Sequence, residues 1–161
     1  LTELLNRRGF EFLGEQMLRS ASRATQRVGV LFLDLDGLKI VNDRFGHDAG
    51  DQVLSTFAAI LRRTFRGSDV VARLGGDEFG VLTMAMDGTD LSPIRARLDE
   101  QVRTHNSGTA VGLELAFSVG AGWFDPAQPR SLTDLLEDAD DEMYRDKRDQ
   151  KPTIAHSGIG S

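Results

Sequence analysis

The chain has 161 residues, 40% of them apolar, and no cysteine, which suits one globular domain with a sizeable core and rules out a disulfide framework or a thiolate metal site. A formal charge of −6 and a pI near 5.0 exclude a broad electrostatic grip on DNA or RNA, so a polyphosphate ligand would need metal ions and a few local cations. No apolar run approaches the roughly 18 residues that cross a bilayer and no signal peptide is visible, so this stretch reads as soluble, without membrane contact of its own.

Phe10, Leu13, Met17 and Leu18 recur at helical spacing, which predicts an amphipathic helix over residues 8–25 with that stripe in the core. Arg7 and Arg8 stand at its start, poorly placed against the helix dipole; they read equally as a solvated pair or as cations serving a ligand or a neighbouring chain. Residues 28–34 form a nearly continuous apolar run ending in Asp34, the pattern of a central strand buried on both faces with a carboxylate where it emerges. Gly37 and a short helix follow, an arrangement that offers free backbone N–H groups to phosphate oxygens. A long helix is predicted over residues 49–65, burying Val53, Leu54, Phe57, Ile60 and Leu61, and His47 ahead of it reads as structural.

Val70, Val71 and Ala72 lead into Gly75-Gly76-Asp77-Glu78, and residues 79–82 lead out, which predicts a β-hairpin with an acidic tip. Paired glycines accept positive φ and leave no Cβ in a ligand's way. By itself such a tip is either a tight turn with solvated carboxylates or a site for a hard cation. The strand continues to Ala85, and a helix opened by Ser92-Pro93 covers residues 91–102. Residues 110–124 read as two strand-like runs around Gly112 and Gly120. A final helix over residues 132–147 turns Leu135, Leu136, Ala139 and Met143 inward, Ile154 closes an edge strand, and residues 156–161 form a disordered tail. One domain over residues 1–155 results, an α+β sandwich built around the hairpin.

Several motifs agree in order and spacing with one family. Gly75-Gly76-Asp77-Glu78-Phe79 reads GGDEF, and the chain resembles the GGDEF domain of diguanylate cyclases, which condense two GTP into cyclic di-GMP. Residues 1–8 are similar to the family's DxLTGLxNRR start, without its leading Asp and with Glu3 for Gly. Residues 34–43 resemble DxDxFKxxND with Leu38 for Phe, and residues 46–51 resemble GHxxGD. Residues 143–151 resemble LYxAKxxGR, with Asp146 for Ala, Gln150 for Gly and Lys151 for Arg. The resemblance spans residues 1–151 and implies a ferredoxin-like βαββαβ-type core, a mainly antiparallel sheet flanked by helices, related to class III nucleotide cyclases and polymerase palms. It further implies a domain cut from a longer protein, cytoplasmic in location, whose upstream sensory or membrane-anchoring region organises a homodimer.

The resemblance also assigns roles. Two Mg²⁺ per half-site, with Mn²⁺ as a substitute, would be held by Asp34, the Leu35 carbonyl and Asp77; Asp77, Asp34 and, in support, Glu78 form the catalytic set. Asn42 and Asp51 stand at the guanine-reading positions, where a carboxylate can accept N1–H and N2–H together. Gly37, Leu38, Gly75 and Gly76 would approach the triphosphate, with Lys39, Lys147 and Lys151 as its cations; lysine at 151 keeps the charge of the family's arginine and loses its fork, which weakens the grip. Arg66-Gly67-Ser68-Asp69 is an RxxD at the spacing of the family's inhibitory site for cyclic di-GMP, with Arg97 as a second contact. The alternatives are a catalytically inactive domain that binds GTP or cyclic di-GMP as a regulatory module, or a nucleotidyl cyclase with another product.

Overall fold

The computed structural model describes residues 2–84 and 89–159, with side chains as far as residue 150. Nine elements follow one another: α1 (Arg7–Arg23), β1 (Val28–Leu35), α2 (Leu38–Phe45), α3 (His47–Thr64), β2 (Val70–Gly75), β3 (Glu78–Thr83), α4 (Ser92–Ser107), β4 (Phe117–Phe124) and α5 (Leu132–Ile159). The four strands form one sheet in the order β2-β3-β1-β4, with every neighbouring pair antiparallel. This is the expected α+β, ferredoxin-like order, with α2 and α3 sharing the first crossover.

All eight residues of β1 are buried, and their alternation divides two cores. Leu31, Leu33 and Leu35 join Phe57, Phe79 and Phe117 beneath α3 and α4, where the Phe57 and Phe79 rings meet edge-on at 5.2 Å. Val28, Val30 and Phe32 join Phe10, Leu135 and Ala139 beneath α1 and α5. A strand covered on both faces explains the unbroken apolar run.

α5 lies directly on β4. A Cβ at Gly120 would come within 2.1 Å of the Ala139 carbonyl, and one at Gly122 within 2.2 Å of that of Leu135, so these two glycines set how close the helix backbone comes to the sheet. That seating fixes where the later turns of α5 emerge over the end of β1.

Three local expectations need correction. Leu13 is exposed, and the buried stripe of α1 is Phe10, Gly14, Leu18 and Ala21; the helix approaches the sheet at Gly14, where a Cβ would meet Leu82 of β3 at 3.3 Å, and Leu13 lies off that contact. Residues 110–124 hold one strand, because Leu115 exchanges two hydrogen bonds, of 2.7 and 2.9 Å, with the Asn106 side-chain amide instead of a neighbouring strand. Ile154 lies within α5 and forms no edge strand. α5 runs on through residues 156–159 of the predicted tail, whose side chains, like residues 160–161 and Ala85, fall outside the described residues.

Candidate active site

β1 and the β2–β3 hairpin bring the two key carboxylates to one end of the sheet. Asp34 pairs in register with Glu78, and the next residue, Leu35, donates its N–H to the Asp77 carbonyl at 2.9 Å. A register shift between Arg73 and Gly75 loosens β2 just before the tip. Gly76 takes φ +38°, and Arg73 Nε donates to its carbonyl at 2.9 Å, tying the turn to the strand.

Asp34 is 8% exposed, and burial pushes its pKa up to about 6, with the Asp77 charge adding to the rise and the Lys147 hydrogen bond opposing it. Its two oxygens are treated differently. Oδ2 accepts from Lys147 Nζ at 2.7 Å, whereas Oδ1 is buried without a hydrogen-bond partner. The ammonium also stands 3.7 Å from Asp36 Oδ1. Burial works against the charged lysine, yet the bond to Asp34 prevails and the pKa of Lys147 lies above its ordinary value. Asp36 is raised as well, chiefly by burial, despite a hydrogen bond from Ser118 Oγ at 2.9 Å.

The remaining predicted residues surround this centre. Gly37 caps α2 with φ +75°, a left-handed conformation that glycine adopts without strain, and Leu38 packs its side chain against the core while Lys39 stays exposed. Asn42 is half-buried against Gly50, where a Cβ would lie 1.8 Å from its Oδ1, so glycine there is what lets α2 and α3 meet. Asp51 is exposed one residue further on. Glu78 lies 4.0 Å from Arg7, which gives that arginine a partner beside the tip. The side chain of Lys151 lies outside the described residues.

Arg66 and Asp69 form a turn of their own: Asp69 Oδ2 accepts the Arg66 N–H at 2.9 Å, and the Asp69 N–H returns a 3.0 Å bond to the Arg66 carbonyl. The turn borders an open groove of about 410 Å³ shared with Glu3, Arg62 and Phe65. Arg97 donates to the Thr64 carbonyl at the end of α3 and does not line that groove.

The structure also shows participants that the sequence reading gave no role. Asp36 stands beside Lys147 and accepts from Ser118, and the Asp-x-Asp spacing at 34–36 was the available signal. Asp146 accepts from the Val119 N–H at 3.0 Å, from Arg95 at 2.8 Å and from Gln150 at 3.2 Å. The two departures at 146 and 150 thus occupy one network that ties α5 to β4 and α4.

With this arrangement in view, the comparisons with known proteins are decisive. The family described as "Diguanylate cyclase, GGDEF domain" matches residues 1–153. The chain is a GGDEF domain. Diguanylate cyclase TpbB of Pseudomonas aeruginosa is 39% identical over 153 residues, covering 92% of this chain and 34% of TpbB. The crystal structure of the GGDEF domain of YfiN, or TpbB, superposes with a TM-score of 0.80 at 37% identity, covering 92% of this chain and 93% of that one. The GGDEF domain of DgcB from Caulobacter crescentus, solved in complex with c-di-GMP, gives 0.78 at 26% identity and covers 92% and 86%. The chain spans between about a tenth and a half of the length of the curated relatives it matches.

Membership of this family implies use of a divalent metal. Among the described residues, no three acidic or histidine side chains form a ready-made metal cage. The unpartnered Oδ1 of Asp34 nevertheless fits such an ion: it is a hard anionic oxygen, desolvated and lacking a donor, and Mg²⁺ commonly takes only one or two protein carboxylates beside substrate phosphates. Asp34, the Leu35 carbonyl and Asp77 are the residues that would hold it. Among the described residues, no helix is long and apolar enough to cross a membrane.

Proposed function

We propose that this GGDEF domain is a diguanylate cyclase that joins two GTP molecules into cyclic di-GMP and releases two pyrophosphates. The observation that carries the reading is the buried, unpartnered oxygen of Asp34 beside the Asp77 hairpin tip. In each of two equivalent steps the 3′-oxygen of one GTP bonds to the α-phosphorus of the other, the bond from that phosphorus to the bridging oxygen breaks, and the 3′-proton leaves. When bound, Mg²⁺ supplies a lowered pKa for the hydroxyl and charge neutralisation for the leaving group.

The chain's own residues supply the rest. Asp34 and Asp77 place negative charge where cation and substrate meet, and Asp77 is the candidate acceptor of the 3′-proton. Gly37, Leu38, Gly75 and Gly76 bring backbone close to the phosphates, where the left-handed Gly37 at the start of α2 turns N–H groups outward. Lys39, Lys147 and Lys151 offset the triphosphate charge. Asn42 and Asp51 select guanine over adenine, because guanine offers the adjacent N1–H and N2–H donors that adenine lacks.

One such site holds one nucleotide, so two domains must face each other in a homodimer, working in the cytoplasm where GTP is supplied. Arg66 and Asp69 form an inhibitory site for the product, without Arg97, which is engaged at the end of α3. The names of the relatives and the c-di-GMP complex of DgcB support this reading. The test is mass spectrometry of products from concentrated protein with GTP and Mg²⁺, beside Asp77→Ala. Cyclic di-GMP from the parent alone supports the cyclase; no product even with an appended dimerising coiled coil favours a GTP- or cyclic di-GMP-binding module.

A further inference from the structure

Lys147 is placed to do something other than wait for phosphate. Its ammonium lies 2.7 Å from Asp34 Oδ2 and 3.7 Å from Asp36 Oδ1, across 113 and 111 residues of sequence respectively, and so covers two of the carboxylates at the end of β1. The helix that delivers it is held on both sides. Gly120 and Gly122 seat α5 against β4, and the preceding residue, Asp146, is bonded to the Val119 N–H and to Arg95. The departure point of the lysine is thereby fixed, and only its four-carbon stem is free to swing.

An ammonium and a divalent cation attracted to the same carboxylate compete, since each raises the electrostatic cost of placing the other. We propose that Lys147 is the resident counter-ion of Asp34 and Asp36: without nucleotide it holds both carboxylates and keeps divalent cation affinity low. An arriving triphosphate offers the ammonium a more highly charged partner, Lys147 swings to it, and Asp34 is left free to hold the metal. Metal affinity is thereby linked to nucleotide binding through one side chain. The inference rests on the nucleotide site proposed above, but its test requires no product.

Mn²⁺ is titrated into the nucleotide-free domain and the free ion is read by electron paramagnetic resonance, for the parent, Lys147→Gln and Lys147→Arg. Lys147→Gln is expected to bind Mn²⁺ about tenfold tighter than the parent or more, and Lys147→Arg, which keeps the charge, to stay close to the parent. Separately, with EDTA present, a non-hydrolysable GTP analogue is expected to bind Lys147→Gln several-fold more weakly than the parent. Mn²⁺ affinity unchanged or lowered in Lys147→Gln, equal tightening in Lys147→Arg, or equal analogue binding would overturn the proposal. Should the glutamine variant melt early, Lys147→Met, which keeps the apolar stem, replaces it in both titrations. Product formation with unchanged Mn²⁺ affinity would remove the counter-ion role and leave the cyclase standing; tightened Mn²⁺ affinity and weakened analogue binding without product would do the reverse.

Discussion

β2 connects two acidic turns that treat their carboxylates in opposite ways. At its start, Asp69 is satisfied within four residues, its Oδ2 accepting the Arg66 N–H at 2.9 Å beside an open groove. Past its far end, the Gly75-Gly76 tip sets Asp77 near Asp34, whose Oδ1 is buried without a donor and whose pKa rises to about 6. The first turn is a self-contained local structure that keeps Arg66 exposed and Asp69 half-buried. Beyond the second end of the strand, Lys147 holds one oxygen of Asp34 while the other stays buried without a donor, at a cost to stability that a divalent cation there would offset. Local satisfaction marks a surface feature, and buried dissatisfaction marks the place where chemistry is expected.

The largest effect that could break this contrast lies at the acidic tip. Asp77→Ala is expected to lower cyclic di-GMP formation by at least about 10²-fold, measured by product quantification at saturating GTP. Comparable turnover in parent and variant would remove the tip from the chemistry. Asp34→Asn should lose activity similarly, and its stability relative to the parent should rise with pH, since the amide carries no charge into the buried site. The sign follows from the raised pKa: between about 4 and 6 the folded state holds the proton more tightly than the unfolded chain, so this group's contribution to stability falls as pH rises through that window and stays low above it. The melting temperature of Asp34→Asn relative to the parent should therefore be higher at pH 7.5 than at pH 5; an equal difference at both would contradict the buried charge.

Smaller effects sharpen the comparison. Asp51→Ala is expected to narrow GTP-over-ATP discrimination by about tenfold, read from competition binding. Asp146→Ala strips the Val119 N–H of its acceptor and Arg95 of its partner, and urea unfolding should show a loss of about 1–2 kcal/mol. Arg66→Ala, at the exposed turn, should weaken inhibition by cyclic di-GMP at least about tenfold while changing stability by less than about 0.5 kcal/mol. A large stability loss there would show that the turn is a structural brace.

Most of the fold was legible in order along the chain. The unbroken run at 28–34 marked a doubly buried strand, the stripe of Val53, Leu54, Phe57, Ile60 and Leu61 marked the inner face of α3, and the hairpin flanked the GGDE tip as expected. These features survive because periodicity and glycine placement are local. Leu13 and residues 113–115 misled for the same reason: an apolar residue at a plausible spacing says nothing about which neighbour reaches it, and an Asn106 amide in place of a partner strand leaves no periodic trace.

The sequence alone therefore determined the elements, the two carboxylates and the likeness that gives them a role, because spacing and residue type suffice for each. Only the tertiary structure decided that Lys147 rests on Asp34 and Asp36, that Ser118 donates to Asp36, and that Asp146 closes against Val119 and Arg95. Those contacts join residues that are remote along the chain, and they form where Gly120 and Gly122 let α5 settle on the sheet. Close packing across the sheet creates such pairs, and no local pattern encodes them.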